Sequence, residues 1–223
     1  MLDKGIRVII LKRMQIIIFS SVQNSKKIQI PQKSWVALGN FDGVHLGHQS
    51  ILQNVKKQAR QDNTLAGIFL LDPHPQTILK PNSIVKIITS TKEKIRWFEK
   101  FGMDFCLVYP FDNIFSQKSP KDFAKEILKD LLNVQGVGLG YNYSFGKNRL
   151  GNPDVIKLLG TELNFQVIVC PQILIHDQIV SSSIIRECII SGNVSKACEL
   201  LGRPYQIVGK VVHGEKRGRI IGF

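Results

Sequence analysis

Gly39-Asn40-Phe41-Asp42-Gly43-Val44-His45-Leu46-Gly47-His48-Gln49 is the stretch whose reading decides the fold. Before it, Trp35-Val36-Ala37-Leu38 has the apolar character of a buried strand; after it, Ile51, Leu52, Val55 and Ala59 recur at helical spacing. A strand that turns sharply into a helix leaves the helix's first N–H groups unpaired, and glycines let a ligand approach them closely. The pattern predicts a phosphate-binding turn. His45 and His48, in a His-x-Gly-His arrangement, are placed to present imidazole donors to an anion beside the helix N-terminus. Capping of the turn or metal ligation is the plainer reading of the same pair.

Working outward, Leu65-Ala66-Gly67-Ile68-Phe69-Leu70-Leu71 is a continuous apolar run of the kind found in parallel strands buried on both faces, and closes a β-α-β unit. Asp72-Pro73-His74-Pro75 follows, a loop whose two prolines are expected to exclude helix. In open α/β sheets ligands bind beyond the carboxyl ends of strands, which makes His74 a candidate beside His45 and His48. An exposed histidine on a rigid loop is the alternative.

A helix is expected over Thr91–Lys100, a strand over Asp104–Val108, and a further helix opened by Ser119 as N-cap with Pro120 at its first position. Phe123, Ile127, Leu128 and Leu131 then form a core-facing stripe. The strand Val134–Leu139 runs into Gly140-Tyr141-Asn142-Tyr143-Ser144-Phe145-Gly146-Lys147, a glycine-bracketed loop able to approach a flat ligand, with Asn142 as donor and acceptor. Asn152-Pro153-Asp154 starts another helix, and Phe165–Val169 is another buried strand. Val180-Ser181-Ser182-Ser183-Ile184-Ile185-Arg186 places three hydroxyls before a helix. One of them is expected to cap it, the others to hold a phosphate with the Arg186 fork; an ordinary serine cap is the alternative.

With 223 residues, 43% hydrophobic and 21% charged, the chain has the composition of a globular protein with a sizeable core. Its formal net charge of +13 attracts polyanions, but no zinc-finger spacing or aromatic-rich strand of a single-strand RNA reader accompanies it. Cys106, Cys170, Cys188 and Cys198 show no metal or redox spacing and suit a reducing compartment. Near the start, Val8–Leu11 and Ile16–Phe19 are apolar runs too short for a secretory core or a span of about 20 residues. They are read as part of an N-terminal extension, with Met14 as an alternative start and Ser20–Lys33 as a loop or edge hairpin.

Taken together, the turn at Gly39–Gln49, Asp72–Pro75, Gly140–Gly146 and Ser181–Arg186 resemble, in order, the motifs of the bacterial-type FAD synthetases, the bifunctional riboflavin kinase/FMN adenylyltransferases. Tyr109–Asp112, Phe115 and Phe123 are similar to that family's middle segment. Leu71, Tyr143 and Ser183 depart from its usual residues. The resemblance implies an α/β, Rossmann-like nucleotidyltransferase domain, a parallel sheet flanked by helices, over residues 34–200. It implies an extension over 1–33 and a short β fragment of a kinase barrel over 201–223. Leu201–Tyr205, Val208–Gly214 and Gly218–Phe223 are similar to the barrel's start, and kinase activity is expected to be absent.

By the same resemblance, His45, His48, Ser181 and Arg186 are catalytic; Gly39, Asn40, Phe41, Asp42, Gly43, Gly47, Ser182 and Ser183 bind ATP; and Pro73, His74, Pro75 and Asn142 line the flavin side. Mg²⁺ is the expected ion, with no metal ligand assigned to the chain. ATP and FMN are the expected partners, rather than nucleic acid or a membrane, and the cytoplasm the expected location. A related nucleotidyltransferase with another substrate, and a non-catalytic nucleotide- or flavin-binding remnant, are the competing readings.

Overall fold

The computed structural model describes residues 6–11, 14–19, 30, 32–82, 84–210, 212, 214, 217 and 222. Nine strands form: β1 (Ile6–Ile10), β2 (Gln15–Phe19), β3 (Ser34–Leu38), β4 (Leu65–Asp72), β5 (Phe105–Pro110), β6 (Val134–Gly140), β7 (Gln166–Cys170), β8 (Leu174–Ile175) and β9 (Gln178–Ile179), counted among the described residues. The first seven make one sheet in the order β1-β2-β5-β4-β3-β6-β7, and β8 and β9 make a small hairpin. All pairings in the large sheet are parallel except β1 with β2. This is the Rossmann-like arrangement that the family resemblance implied, with the β-α-β unit read from the sequence at its centre.

Strand β3 explains why the sheet is central. All five of its residues are buried, with Trp35 and Ala37 in the core cluster on one face and Val36 and Leu38 in the cluster on the other. Successive side chains of a strand alternate faces, so an unbroken apolar run requires cover on both sides. On one side the cover is α1 (Leu46–Gln61), through Ile51, Leu52, Val55 and Ala59, and α3 (Thr91–Lys100), through Ile95 and Phe98. On the other, α5 (Pro120–Asp122) runs into a helix over Phe123–Leu131 wound with i→i+5 bonds, packed beside α6 (Pro153–Leu163). Its Phe123, Ile127, Leu128 and Leu131 are buried, as their spacing implied.

Short helices α2 (Pro75–Leu79) and α4 (Asn113–Ser116) follow β4 and β5. The chain then uses α7 (Ser182–Ile190) and α8 (Val194–Leu201) to build a third cluster with Ile88, Val180 and Leu46.

Three expectations change. Residues read as an extension supply β1 and β2, and β2 pairs with β5 from Gln15↔Phe105 to Ile18↔Val108. The sheet therefore begins before the first recognisable motif, whereas most of Ser20–Lys33 lies outside the described residues. Second, Pro75 does not exclude helix: it starts α2 at a first-turn position, where its missing N–H has no intrahelical partner to lose. Third, the helix opened by Ser119 and Pro120 changes winding at Phe123. After Leu201 no described residue lies in a strand, and most of Gly218–Phe223 is outside the description.

Gly67 in β4 has a packing reason. The Phe105 ring from β5, its register partner, occupies the space a Cβ would take. Gly67→Ala is expected to destabilise the protein by about 1–3 kcal/mol through overpacking, read as a lower urea midpoint at unchanged m-value. An unchanged midpoint would show that the ring relaxes without cost.

Candidate active site

Strand β3 is the point at which the sheet's order reverses. The chain builds β4 and β5 on one side of it, then returns to lay β6 and β7 on the other. A cleft opens at such a switch point, outside the carboxyl ends of the strands. The turn after β3, the Pro73–Pro75 segment after β4 and Asn142 after β6 are therefore neighbours by topology.

The turn is tight. Phe41, Gly43 and Val44 all have positive φ, at 50°, 85° and 42°. For a β-branched residue such as Val44 this is a strained conformation, one that persists only where surrounding contacts impose it. Phe41 folds its fully buried ring under the turn, edge-on to Phe98 and 5.3 Å from the His48 ring. At Gly39 a Cβ would lie 3.2 Å from the Phe41 ring, a tight contact that the ring would have to yield to.

His45, 6% exposed, caps α1: its Nδ1 accepts from the His48 N–H at 3.3 Å. That bond makes Nε2 the protonated nitrogen of the neutral ring. The two imidazoles stack at 3.6 Å between centroids, 21° from parallel. Among the described residues, His48 Nδ1 is buried without a hydrogen-bond partner. Burial pushes the His45 pKa down to about 4, against the partly compensating pull of Asp42, with Arg203 pushing it further down. His48 is also driven well below the usual histidine range, by burial first and then by His45, Lys94 and Arg203. Both rings are therefore neutral near pH 7, hydrogen-bond donors rather than cations. No acidic side chain occupies the first turn of α1 to compete with an anion there.

The side chain of Asp42 is taken up within the protein. Its buried carboxylate accepts from Ile88 N–H (3.0 and 3.2 Å), Thr89 N–H (3.1 Å) and Arg186 Nη2 (3.0 Å). The Ser182 hydroxyl donates to the Asp42 carbonyl at 2.8 Å. Ser181 caps α7 by accepting from Ile184 N–H, and Ser183 is exposed. Arg186 also donates through Nε to Lys86 O at 2.6 Å. The serine-arginine segment is thereby tied directly to the glycine turn. Arg186 further lines, with Gln76, Lys80 and Lys86, a groove of about 260 Å³.

His74 caps α2 through Nδ1 and is buried. Burial lowers its pKa, and Lys94, Asp42 and Arg186 all act on it electrostatically. It thus belongs to the charge cluster of the turn. Pro73 and Asn142 are exposed at the ends of the two strands that flank β3, and Pro75 is half-buried.

Sequence reasoning missed Lys94 and Arg203. Lys94 is 4% exposed and donates to Asn40 O at 3.0 Å; burial lowers its pKa. It occupies the apolar stripe of α3 four residues before Phe98, and a lysine at a core-facing position was a readable signal. Arg203, beyond α8, donates to Gly43 O (2.6 Å) and Val44 O (3.0 Å) and lies 4.2 Å over the Trp97 ring.

This geometry can be set beside known proteins. The family model described as FAD synthetase matches residues 27–184. The chain belongs to the FAD synthetase family. A riboflavin kinase model matches residues 201–223. Among curated FAD synthetase relatives, the bifunctional riboflavin kinase/FMN adenylyltransferase of Buchnera aphidicola subsp. Schizaphis graminum is 37% identical over 91% of this chain and 64% of its own length. That of Bacillus subtilis is 36% identical over 86% of this chain and 60% of its own, and that of Escherichia coli 32% over 87% and 63%. The chain spans about three fifths of the curated relatives it matches. A solved structure named as a macrolide-efflux protein from Streptococcus pneumoniae has the same fold, with a TM-score of 0.83 and 30% identity, covering 93% of this chain and 66% of that one. Among the described residues no helix is long and apolar enough to cross a membrane.

The depressed histidine pKa values carry a stability consequence. A histidine that resists protonation when folded binds fewer protons than its unfolded counterpart between about pH 4 and 6.5, so stability rises with pH through that window and is lost on acidification. For His45 the full effect is on the order of 3 kcal/mol. Urea midpoints should fall more steeply from pH 6.5 to 4 in the wild type than in His45→Gln; parallel slopes would mean His45 is not held neutral.

Proposed function

We propose that this chain transfers AMP from ATP to FMN, giving FAD and pyrophosphate. A phosphate oxygen of FMN attacks the α-phosphorus of ATP; the new P–O bond forms as the bond to the bridging α–β oxygen breaks, and the electron pair leaves with pyrophosphate. The observation that carries this reading is the stacked, neutral His45–His48 pair at the acid-free N-terminus of α1. Nucleotidyl transfer to an ionised phosphate needs positioning and charge stabilisation more than a covalent nucleophile or a strong base. Neutral imidazoles donate hydrogen bonds to the α-phosphoryl oxygens without being able to act as acids of ordinary strength.

Family membership supports ATP and FMN as substrates. In this reading the backbone of Gly39–Gly43 and Gly47 borders the nucleotide, Ser181–Ser183 and Arg186 face its phosphates, and Pro73–Pro75 with Asn142 form the flavin side. His74, which shares the field of Lys94 and Arg186, stands between the two. Among the described residues no group of three His, Cys, Asp or Glu side chains is gathered to hold a metal, and the Asp42 carboxylate is occupied. Mg²⁺, the ion expected from the family, would enter with the substrate as MgATP, where phosphate oxygens and water supply most of its ligands.

Removing one preorganised donor to a transition state costs about 10²–10³ in rate. His48→Ala is expected to lose FAD formation on that scale, measured by chromatography of FMN, ATP and Mg²⁺ incubations, while remaining folded. Near-normal synthesis would sink the role given to His48. Gly47→Ala offers a milder case. The added methyl lies 3.2 Å from the His45 ring, so turnover should drop with no loss of thermal stability; equal loss of both would point to misfolding instead.

A further inference from the structure

We propose that Arg203 is a positioning residue for adenylyl transfer, the clamp by which the segment after α8 holds the catalytic turn in its strained shape. The proposal rests on the function proposed above. Val44 is a β-branched residue at positive φ, and such a conformation has to be imposed from outside. Its carbonyl accepts from Arg203 Nη1 at 3.0 Å and from Gln49 Nε2 at 2.9 Å, while the Gly43 carbonyl accepts from Arg203 Nη2 at 2.6 Å. Gln49 Nε2 and Arg203 Nη1 both reach back to Leu201 O, at 2.8 and 3.3 Å, which closes a ring of bonds between the end of α8 and the turn.

The arginine itself is held. Its guanidinium lies over Trp97 of α3, and burial lowers its pKa. Gly202 adopts positive φ with its Cα side against Leu46, next to His45, so the chain can turn back there. A planar fork that reaches two adjacent carbonyls and stacks on an indole is a task for which lysine is a poor substitute. These residues fall in the stretch matched by the riboflavin kinase model, yet they complete the other domain's site; the working boundary lies after Tyr205, whose N–H reaches Cys198 Sγ at 3.3 Å, rather than at residue 201.

Arg203 also places a fixed positive charge beside the two histidines. The charged groups acting on His45 are Asp42 and Arg203; on His48 they are Lys94 and Arg203, beside the neighbouring His45 ring. Asp42 stays tied to Arg186 and Lys94 to Asn40 whatever stands at 203, so a substitution there isolates one charge.

The test compares wild type, Arg203→Gln and Arg203→Lys as the full 223-residue chain, with thermal unfolding to establish the folded fraction. Expected for Arg203→Gln is a roughly 10- to 100-fold lower kcat for FAD formation, a smaller change in the KM for ATP, and an acid limb of the pH–rate profile moved to higher pH. Arg203→Lys, which keeps the charge and loses the fork, should restore the limb and only part of kcat. A superimposable profile and kcat for Arg203→Gln, or a loss that merely tracks the unfolded fraction, would overturn the proposal. Should the wild type form no FAD, the proposed function fails by itself. NMR titration of the histidine rings then decides the clamp: His45 and His48 titrating at higher pH in Arg203→Gln uphold it, and unchanged titration overturns it.

Discussion

The buried carboxylate of Asp42 is the interaction on which the rest of the site depends. An ionised carboxylate that is 2% exposed costs several kcal/mol unless its lone pairs are met, and here they are met from two distant parts of the chain. Ile88 and Thr89 give backbone N–H groups from the segment before α3; Arg186 gives a guanidinium from α7. Satisfying one charge therefore brings the glycine turn, the α3 entry and the serine-arginine segment to a single point. Ser182 adds a bond to the same residue's carbonyl. The glycine turn and the serine-arginine segment are placed against each other by this anchor.

On that anchor the turn can hold strain. Phe41, Gly43 and Val44 take left-handed conformations because Phe98 packs against the Phe41 ring and Arg203 and Gln49 grip the carbonyls. The strain puts His45 at the cap of α1 and stacks His48 on it, in surroundings where burial and the Arg203 charge, joined at His48 by Lys94, keep both rings neutral. The cations nearby, Arg186, Lys94 and Arg203, are thus set around the turn, and the turn itself carries uncharged donors.

Local features were readable in the sequence. The β3–turn–α1 unit shows because a doubly buried strand and an amphipathic helix have different periods, and α3 matches its expected limits because Ser90 and Glu93 form a capping box. Ser181 caps α7 as three consecutive hydroxyls suggested. What escaped was non-local. Strands β1 and β2 are short apolar runs that pair antiparallel with each other, but the parallel partner that joins them to the sheet, β5 beside β2, lies far along the chain, so nothing local shows that they extend it. The anchoring role of Asp42, which the resemblance placed only among the ATP-binding residues, was hidden because its partners at Ile88, Thr89 and Arg186 are equally remote. Arg203 sat in a segment that resembles another domain, and its attachment to Gly43 and Val44 is visible only in three dimensions.

The most direct measurement follows the α-phosphorus. Incubation of the wild-type chain with FMN and MgATP labelled at the α-phosphate is expected to place the label in FAD, with unlabelled pyrophosphate released in equal amount. Flavin and nucleotide binding without labelled FAD, or transfer of the label to another acceptor in preference to FMN, would contradict the assignment of this turn to FMN adenylylation.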